Sequence, residues 1–290
     1  MNDKRAKEKR IGIIGVGNIG TSILRGLLAS EPDIDRARGK IFISDENKDK
    51  LRFFEADPES GSRVEVCDSN EEVAKGSEVI FLAVKPNDVR VVVEGIAPFM
   101  NEEKILISVA AGVSTGAIED YFGEAKGRKV IRVMPNIGAR VGESVTAMCK
   151  GKYAGEEDEE IAKEILSAIG AVYSVKEGDM DVITGLSGSG IAFFAAVIDA
   201  MADGGVYEGL PHDLSLAIAA KTALGAARMI LAGDKPSEIK AMTTSPGGTT
   251  IRGLYAMESG DVKAAMMKAV IEATKRAREI SGQSKMQNAK

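Results

Sequence analysis

From Arg10 to about Lys150 the chain alternates short, β-branched apolar runs with longer stretches whose apolar residues recur at helical spacing. That alternation predicts an α/β domain, a parallel sheet with crossover helices. The runs that predict strands are Ile11–Ile14, Ile41–Ser44, Val64–Val66, Val79–Val84, Ile105–Val109, Val130–Val133 and Val145–Met148. Several are apolar at nearly every position, as expected of strands covered by helices on both faces. Past Lys150 an acidic helix is expected from about Glu156, then a short strand at Ala171–Val175. Beyond Gly185 the β-branched runs give way to Ala, Met, Leu and Gly. Helices are predicted over Ser189–Tyr207, Pro211–Leu231, Pro236–Met242, Thr250–Ser259 and Asp261–Ile280, with Gly, Pro or Asp near most junctions. Pro211 and Pro236 suit first-turn positions, where a missing amide hydrogen costs little. This change of class places a domain boundary near Gly178–Ser187, with an α/β domain over residues 1–180 and an all-helical one over residues 181–290.

Composition narrows the classes. A chain of 290 residues with 44% hydrophobic and 28% charged residues is ordinary for a two-domain globular protein. The net charge of −5 opposes nucleic-acid binding, and no basic patch of useful length offsets it. The basic opening Met1–Arg10 lacks the apolar core of a signal peptide. The longest apolar run, Ile191–Ile198, stops at Asp199, short of a bilayer span. Two cysteines, Cys67 and Cys149, and one histidine support neither a disulfide framework nor a metal site. A soluble cytoplasmic protein without a membrane partner is therefore expected.

Chemistry enters at Ile11-Gly-Ile-Ile-Gly-Val-Gly-Asn-Ile-Gly20, where Gly15, Gly17 and Gly20 stand in G-x-G-x-x-G register between a strand and the amphipathic stretch Thr21–Ala29. That context predicts a Rossmann-type, doubly wound sheet binding a dinucleotide. Gly15 permits the tight turn, Gly17 admits the pyrophosphate to the backbone of Gly17, Asn18 and Ile19, and Gly20 lets the helix pack close to the strand. At the end of the second strand, Ser44-Asp45 offers an acid that can accept bonds from a ribose and repel a 2′-phosphate. Asp45 can equally cap the helix starting near Asn47. Lys48 and Lys50 stand ready for an NADPH phosphate, so NADPH and NADH both stay open as cofactors.

A second polar segment, Thr243-Thr-Ser-Pro-Gly-Gly-Thr-Thr250, interrupts the apolar helical half. Backbone amides at Gly247 and Gly248, hydroxyls at Ser245 and Thr250, and the positive end of the next helix suit a small carboxylate. By chemistry alone an ordinary interhelical turn is the stronger reading, since Gly, Pro and Ser are the usual residues of turns.

Taken together, the Gly15–Gly20 loop, Phe81-Leu-Ala-Val-Lys-Pro86, Met134-Pro-Asn136, Ser187-Gly-Ser-Gly190, Gly209-Leu-Pro211, Lys221-Thr-Ala-Leu-Gly-Ala-Ala227 and Ser245-Pro-Gly-Gly-Thr-Thr250 resemble the pyrroline-5-carboxylate reductase family, in order and over most of the chain. The last of these is the most specific, and it reverses the preference for a plain turn. The resemblance implies an NAD(P)H-dependent reductase of a cyclic imino acid, with a C-terminal all-α dimerisation domain and assembly into homodimers or larger rings. It implies that Ser245 and the backbone at Gly247, Gly248 and Thr249 hold the substrate carboxylate. The Thr250 hydroxyl would contact the ring nitrogen as the catalytic group. It further implies cofactor contacts from Ala83, Val84, Lys85, Pro86, Ala110 and Ala111, with Asn70 near the adenosine and Asn136 near the nicotinamide. Relatives usually carry Pro and Tyr where Ile191 and Phe193 stand, and Thr-Pro where Ile137-Gly138 stands. Both departures bear on substrate choice.

The remaining candidates read more plainly. His212 opens a helix and is expected to face solvent. Lys221 has Gly225 four residues on, whereas β-hydroxyacid dehydrogenases use a helical Lys-x-x-x-Asn pair, so a structural or interfacial lysine is expected. The cysteines read as apolar filler, and the C-terminal methionines as adaptable core or subunit contact. A catalytically silent nucleotide-binding scaffold gives no reason for the Ser-Pro-Gly-Gly-Thr-Thr turn.

Overall fold

The computed structural model describes residues 9–29, 39–56 and 63–288. Its strands are β1 (Ile11–Ile14), β2 (Ile41–Ser44), β3 (Val64–Val66), β4 (Val79–Leu82), β5 (Ile105–Ser108), β6 (Lys129–Met134), β7 (Ser144–Lys150) and β8 (Gly170–Ser174). They form one eight-stranded sheet in the order β3-β2-β1-β4-β5-β6-β7-β8. The first six strands are parallel neighbours and keep the order of a doubly wound dinucleotide fold.

Helices cover both faces. They are α1 (Asn18–Ala29), α2 (Lys48–Ala56), α3 (Asn70–Gly76), α4 (Val89–Ile96), α5 (Thr115–Tyr121) and α6 (Glu156–Ser167). Alternate residues of each strand enter opposite cores. Ile11 and Ile13, Val79 and Phe81, and Ile105 and Ile107 join α1, α2 and α6 on one side. Ile14, Ile80, Leu82 and Leu106 join α3, α4 and α5 on the other.

One strand departs from the parallel expectation. β7 runs antiparallel to β6, pairing Arg132 with Cys149 and Val133 with Met148. The link between them holds only a 3₁₀ segment, Ile137–Val141, and is too short for a parallel crossover. Parallel order returns at β8, after the crossover through α6.

The C-terminal half comprises the short α7 (Met180–Ile183), a π-helical stretch Thr184–Gly188, then α8 (Gly190–Tyr207), α9 (His212–Leu231), α10 (Pro236–Thr243), α11 (Thr249–Ser259) and α12 (Val262–Asn288). The chain divides into two compact units, Met1–Gly188 with Thr274–Lys290, and Ser189–Ala273. The end of α12 belongs to the first unit for a packing reason. A Cβ on Gly185 would stand 2.7 Å from the Thr274 backbone nitrogen, and the Ser281 hydroxyl donates to Asp181 at 2.8 Å.

The second unit stands apart in its burial. Among its described residues only Gly190, Ala202, Ser215 and Ala219 are buried, while Phe194, Tyr207, Leu231 and Tyr255 lie open. The stretch Glu177–Tyr207 and α9 are each long and apolar enough to cross a membrane by length and composition. The expectation that no segment reaches that length came from ending the apolar run at Asp199. Asp199 and Asp203 interrupt the apolar run without ending α8.

Candidate functional site

β1 delivers the glycine turn to the crevice between β1 and β4, where strand order reverses. The three glycines have separate physical reasons. Gly15 holds φ +95°, and a Cβ there would stand 2.6 Å from the Ala83 carbonyl oxygen. A Cβ on Gly20 would run into the Gly15 carbonyl oxygen, so α1 could not pack on the turn. Gly17 has nothing within 4 Å of its Cβ position. The fold demands the outer two glycines and makes no steric demand at the middle one.

Gly15, Gly17, Asp45, Asn70, Ala83, Val84 and Lys85 line one cleft of ≈ 190 Å³. Each reaches it from the C-terminal end of a strand or from the first turn of the helix that follows. Asp45 closes the end of β2 with its side chain only 6% exposed. Its carboxylate accepts the Val16 amide at 2.8 Å and the Asn47 amide at 2.9 Å, and the Lys50 ammonium stands 3.3 Å from both oxygens. It therefore makes the turn ahead of α2 and also braces the glycine loop. Ser44 is buried and donates its hydroxyl to Asn70 Oδ1 at 2.8 Å, orienting that amide from below. Lys48 donates to the Asp68 carbonyl at 3.0 Å.

Ala110 and Ala111 follow β5, and Pro86 opens a 3₁₀ turn after β4; none of the three lines this cleft. Asn136 follows β6 and is 5% exposed. Its side-chain oxygen accepts the Gly138 amide at 3.0 Å and its nitrogen donates to the Ser187 hydroxyl at 2.9 Å. A Cβ on Gly138 would stand 2.6 Å from the Glu143 carbonyl oxygen, so glycine there follows from the tight return into β7.

A neighbouring cleft of ≈ 610 Å³ adds residues that sequence reading passed over, Arg25 and Arg140, which line it with Gly17, Asn18, Thr21 and Lys50. A signal existed for Arg25, which follows Asn18 by seven positions and so shares its face of α1. Arg140 had none, since its approach depends on the packing of the Ile137–Val141 turn. Glu46 and Asp88 in the first cleft were also missed; Glu46 stands two residues past the end of β2, and Asp88 closes the 3₁₀ turn Pro86–Asp88 after β4.

In the helical unit, Ser245-Pro-Gly-Gly248 forms a turn with Pro at its second position and Gly247 at φ +71° at its third, closed by the Gly248 amide donating to the Ser245 carbonyl at 3.0 Å. α11 starts at once, so the amides of Thr249 and Thr250 are first-turn donors without intrahelical acceptors. The Ser245 side chain is exposed and Thr250 half-buried. A carboxylate-sized anion matches this arrangement in charge and in donors.

Elsewhere, His212 is exposed and pairs with the adjacent Asp213 at 3.5 Å, and Lys221 is exposed on α9. Burial pushes the Cys67 thiol up to about 11 and the Cys149 thiol up to about 12, assisted by nearby carboxylates. Neither is a nucleophile at neutral pH.

The chain is similar in sequence and fold to known proteins. Residues 177–280 match the family model of pyrroline-5-carboxylate reductase dimerisation, and residues 10–112 that of NADP oxidoreductase, coenzyme F420-dependent. The pyrroline-5-carboxylate reductase of Methanosarcina acetivorans is 40% identical over 94% of this chain and 98% of its own, and that of Glycine max is 39% identical over 95% and 97%. Among solved structures, a pyrroline-5-carboxylate reductase from Coxiella burnetii superposes with a TM-score of 0.84 at 30% identity, over 94% of this chain and 99% of its own. The Plasmodium falciparum pyrroline carboxylate reductase with NADP bound gives 0.77 at 29% identity, over 94% and 98%. With its doubly wound sheet, its glycine turn and its Ser-Pro-Gly-Gly-Thr-Thr segment, the chain belongs to the pyrroline-5-carboxylate reductase family.

Proposed function

We propose that this chain reduces 1-pyrroline-5-carboxylate to L-proline with NADH or NADPH. The observation that carries the substrate half is the Ser245–Gly248 turn running directly into α11. The glycine turn, with its open Gly17 and the amides at the start of α1, fits a dinucleotide pyrophosphate. When bound, the reduced nicotinamide supplies a hydride. This chain's residues then have three tasks: to hold, to orient and to exclude water.

Ser245 Oγ and the amides at the start of α11 hold the substrate carboxylate, and the Thr250 hydroxyl meets the ring nitrogen. A cyclic imine is basic enough to arrive protonated near neutral pH, so no strong protein acid is needed. A chain with one histidine, exposed on α9, accords with that economy. Asn136 acts by holding the backbone beyond β6 in place through Gly138 and Ser187. At Ile137, Gly138, Ile191 and Phe193 the sequence departs from the residues usual in relatives, so these are the positions to exchange when the six-membered homologue is compared with pyrroline-5-carboxylate.

We assign the open apolar surface of α8 and α9 to a second copy of the chain rather than to lipid, because that region matches the dimerisation model. The assembly is a homodimer or a ring of dimers in the cytoplasm, without nucleic-acid or membrane partners.

The test follows NADPH and NADH oxidation with pyrroline-5-carboxylate, with its six-membered homologue, and with a β-hydroxyacid in the reverse direction. Turnover of the hydroxyacid alone overturns the reading. Thr250→Val is expected to lower kcat/KM by about 1–3 kcal/mol of transition-state stabilisation, the loss of one polar contact. An unchanged kcat/KM would remove Thr250 from the site.

A further inference from the structure

We infer that this chain selects NADH over NADPH and that Asp45 makes the selection, an inference that rests on the dinucleotide reading above. The two cofactors differ only by a phosphate on the adenosine 2′ oxygen. In a doubly wound sheet the acidic residue closing β2 is the group that meets this part of the ribose. Asp45 stands there, in the same cleft as Gly15, Gly17 and Asn70.

Its carboxylate cannot turn aside to admit a phosphate. The Val16 and Asn47 amides hold one oxygen each, at 2.8 and 2.9 Å, and both amides belong to backbone that the glycine turn and the start of α2 fix. A carboxylate offers about four acceptor positions, so with Lys50 as third donor a ribose hydroxyl can still be accepted. A phosphate brings no donor and adds negative charge beside a carboxylate.

The cations that could offset this charge have other partners. Lys50 faces Asp45 itself at 3.3 Å, and the Lys48 ammonium is held by the Asp68 carbonyl at 3.0 Å. Lys85 also lines the cleft, but so do Glu46 and Asp88, leaving the acids in excess. Arg25 and Arg140 line the adjoining cleft with Gly17 and Asn18. They stand beside Gly17 and Asn18 of the glycine turn, and the Arg25 guanidinium lies 5.6 Å over the Phe53 ring.

Calorimetric titration of the full chain with NADH and with NADPH tests this directly. NADH should bind at least about tenfold more tightly, the effect of one unfavourable charge contact. Asp45→Asn, which keeps the side-chain size and one acceptor, should cut that ratio by about tenfold, mainly through tighter NADPH binding. Lys50→Ala, a surface change that leaves the Val16 and Asn47 bonds in place, should widen the ratio and serves if Asp45→Asn fails to fold. Equal or tighter binding of NADPH by the unaltered chain overturns the inference while leaving the dinucleotide site standing. So does an unchanged ratio in folded Asp45→Asn, or a narrower one in Lys50→Ala. Failure of the unaltered chain to bind either nucleotide overturns both the site and the inference.

Discussion

At the glycine turn, missing Cβ atoms separate what folding requires from what binding requires. Gly20→Ala would force a methyl group onto the Gly15 carbonyl oxygen and should destabilise the fold by about 1–3 kcal/mol, the usual cost of overpacking. Gly17→Val meets only open space, so its thermal midpoint should match the parent while calorimetry finds no dinucleotide binding. Full-strength NAD(P)H binding by Gly17→Val would remove the pyrophosphate from this turn. The buried thiols make a second residue-scale test. Their folded values of about 11 and about 12 lie above the ordinary 9.0, so folding favours the neutral form. Their contribution is complete below pH 9 and is lost as pH rises through 11 and 12. Replacing both with Ala should flatten that part of the alkaline stability profile, and alkylation of the native protein at pH 7.5 should be slow until denaturant is added. Rapid labelling of the native chain would mean that these sites open. Sequence alone supported the inert reading of both cysteines, but which carboxylates face them had to come from the fold.

At the scale of elements, Glu177 connects parts that are distant in sequence. It accepts the Thr115 amide at 2.7 Å and the Thr115 hydroxyl at 3.1 Å at the start of α5, and Arg132 on β6 stands 3.5 Å away. Arg132 is 6% exposed, so removing its carboxylate leaves a buried guanidinium and a helix start without their acceptor. Glu177→Ala should cost about 1–3 kcal/mol in chemical denaturation, below a fully buried pair because Glu177 itself is partly open. A change under ~0.5 kcal/mol would show the link to be incidental. Such a link is not legible in sequence, where Thr115, Arg132 and Glu177 share no motif. Strand positions were legible, because each apolar run is short and bounded. The direction of β7 was not, because the apolar pattern of a strand is the same read either way along the sheet.

For the molecule as a whole, the helical unit sets the expectation. A surface carrying Tyr207 at 89% and Leu231 at 82% exposure is too apolar to remain in contact with water in an isolated chain. Light scattering at micromolar concentration should therefore return at least twice 30.6 kDa. A monomeric mass would contradict assembly through this surface.

The amino-acid sequence by itself determined the strands and helices, the dinucleotide turn and the membership of Ser245–Thr250 in a recognisable motif. These depend on local periodicity and on glycine stereochemistry, both written in neighbouring residues. Only the tertiary structure decided that Asp45 is held by the glycine turn it faces, that Arg25 and Arg140 share a cleft with that turn, and that the end of α12 packs with the first unit. Those facts depend on which strand ends meet at the switch point and on how closely backbones approach, and no local pattern encodes a distance between residues far apart in the chain.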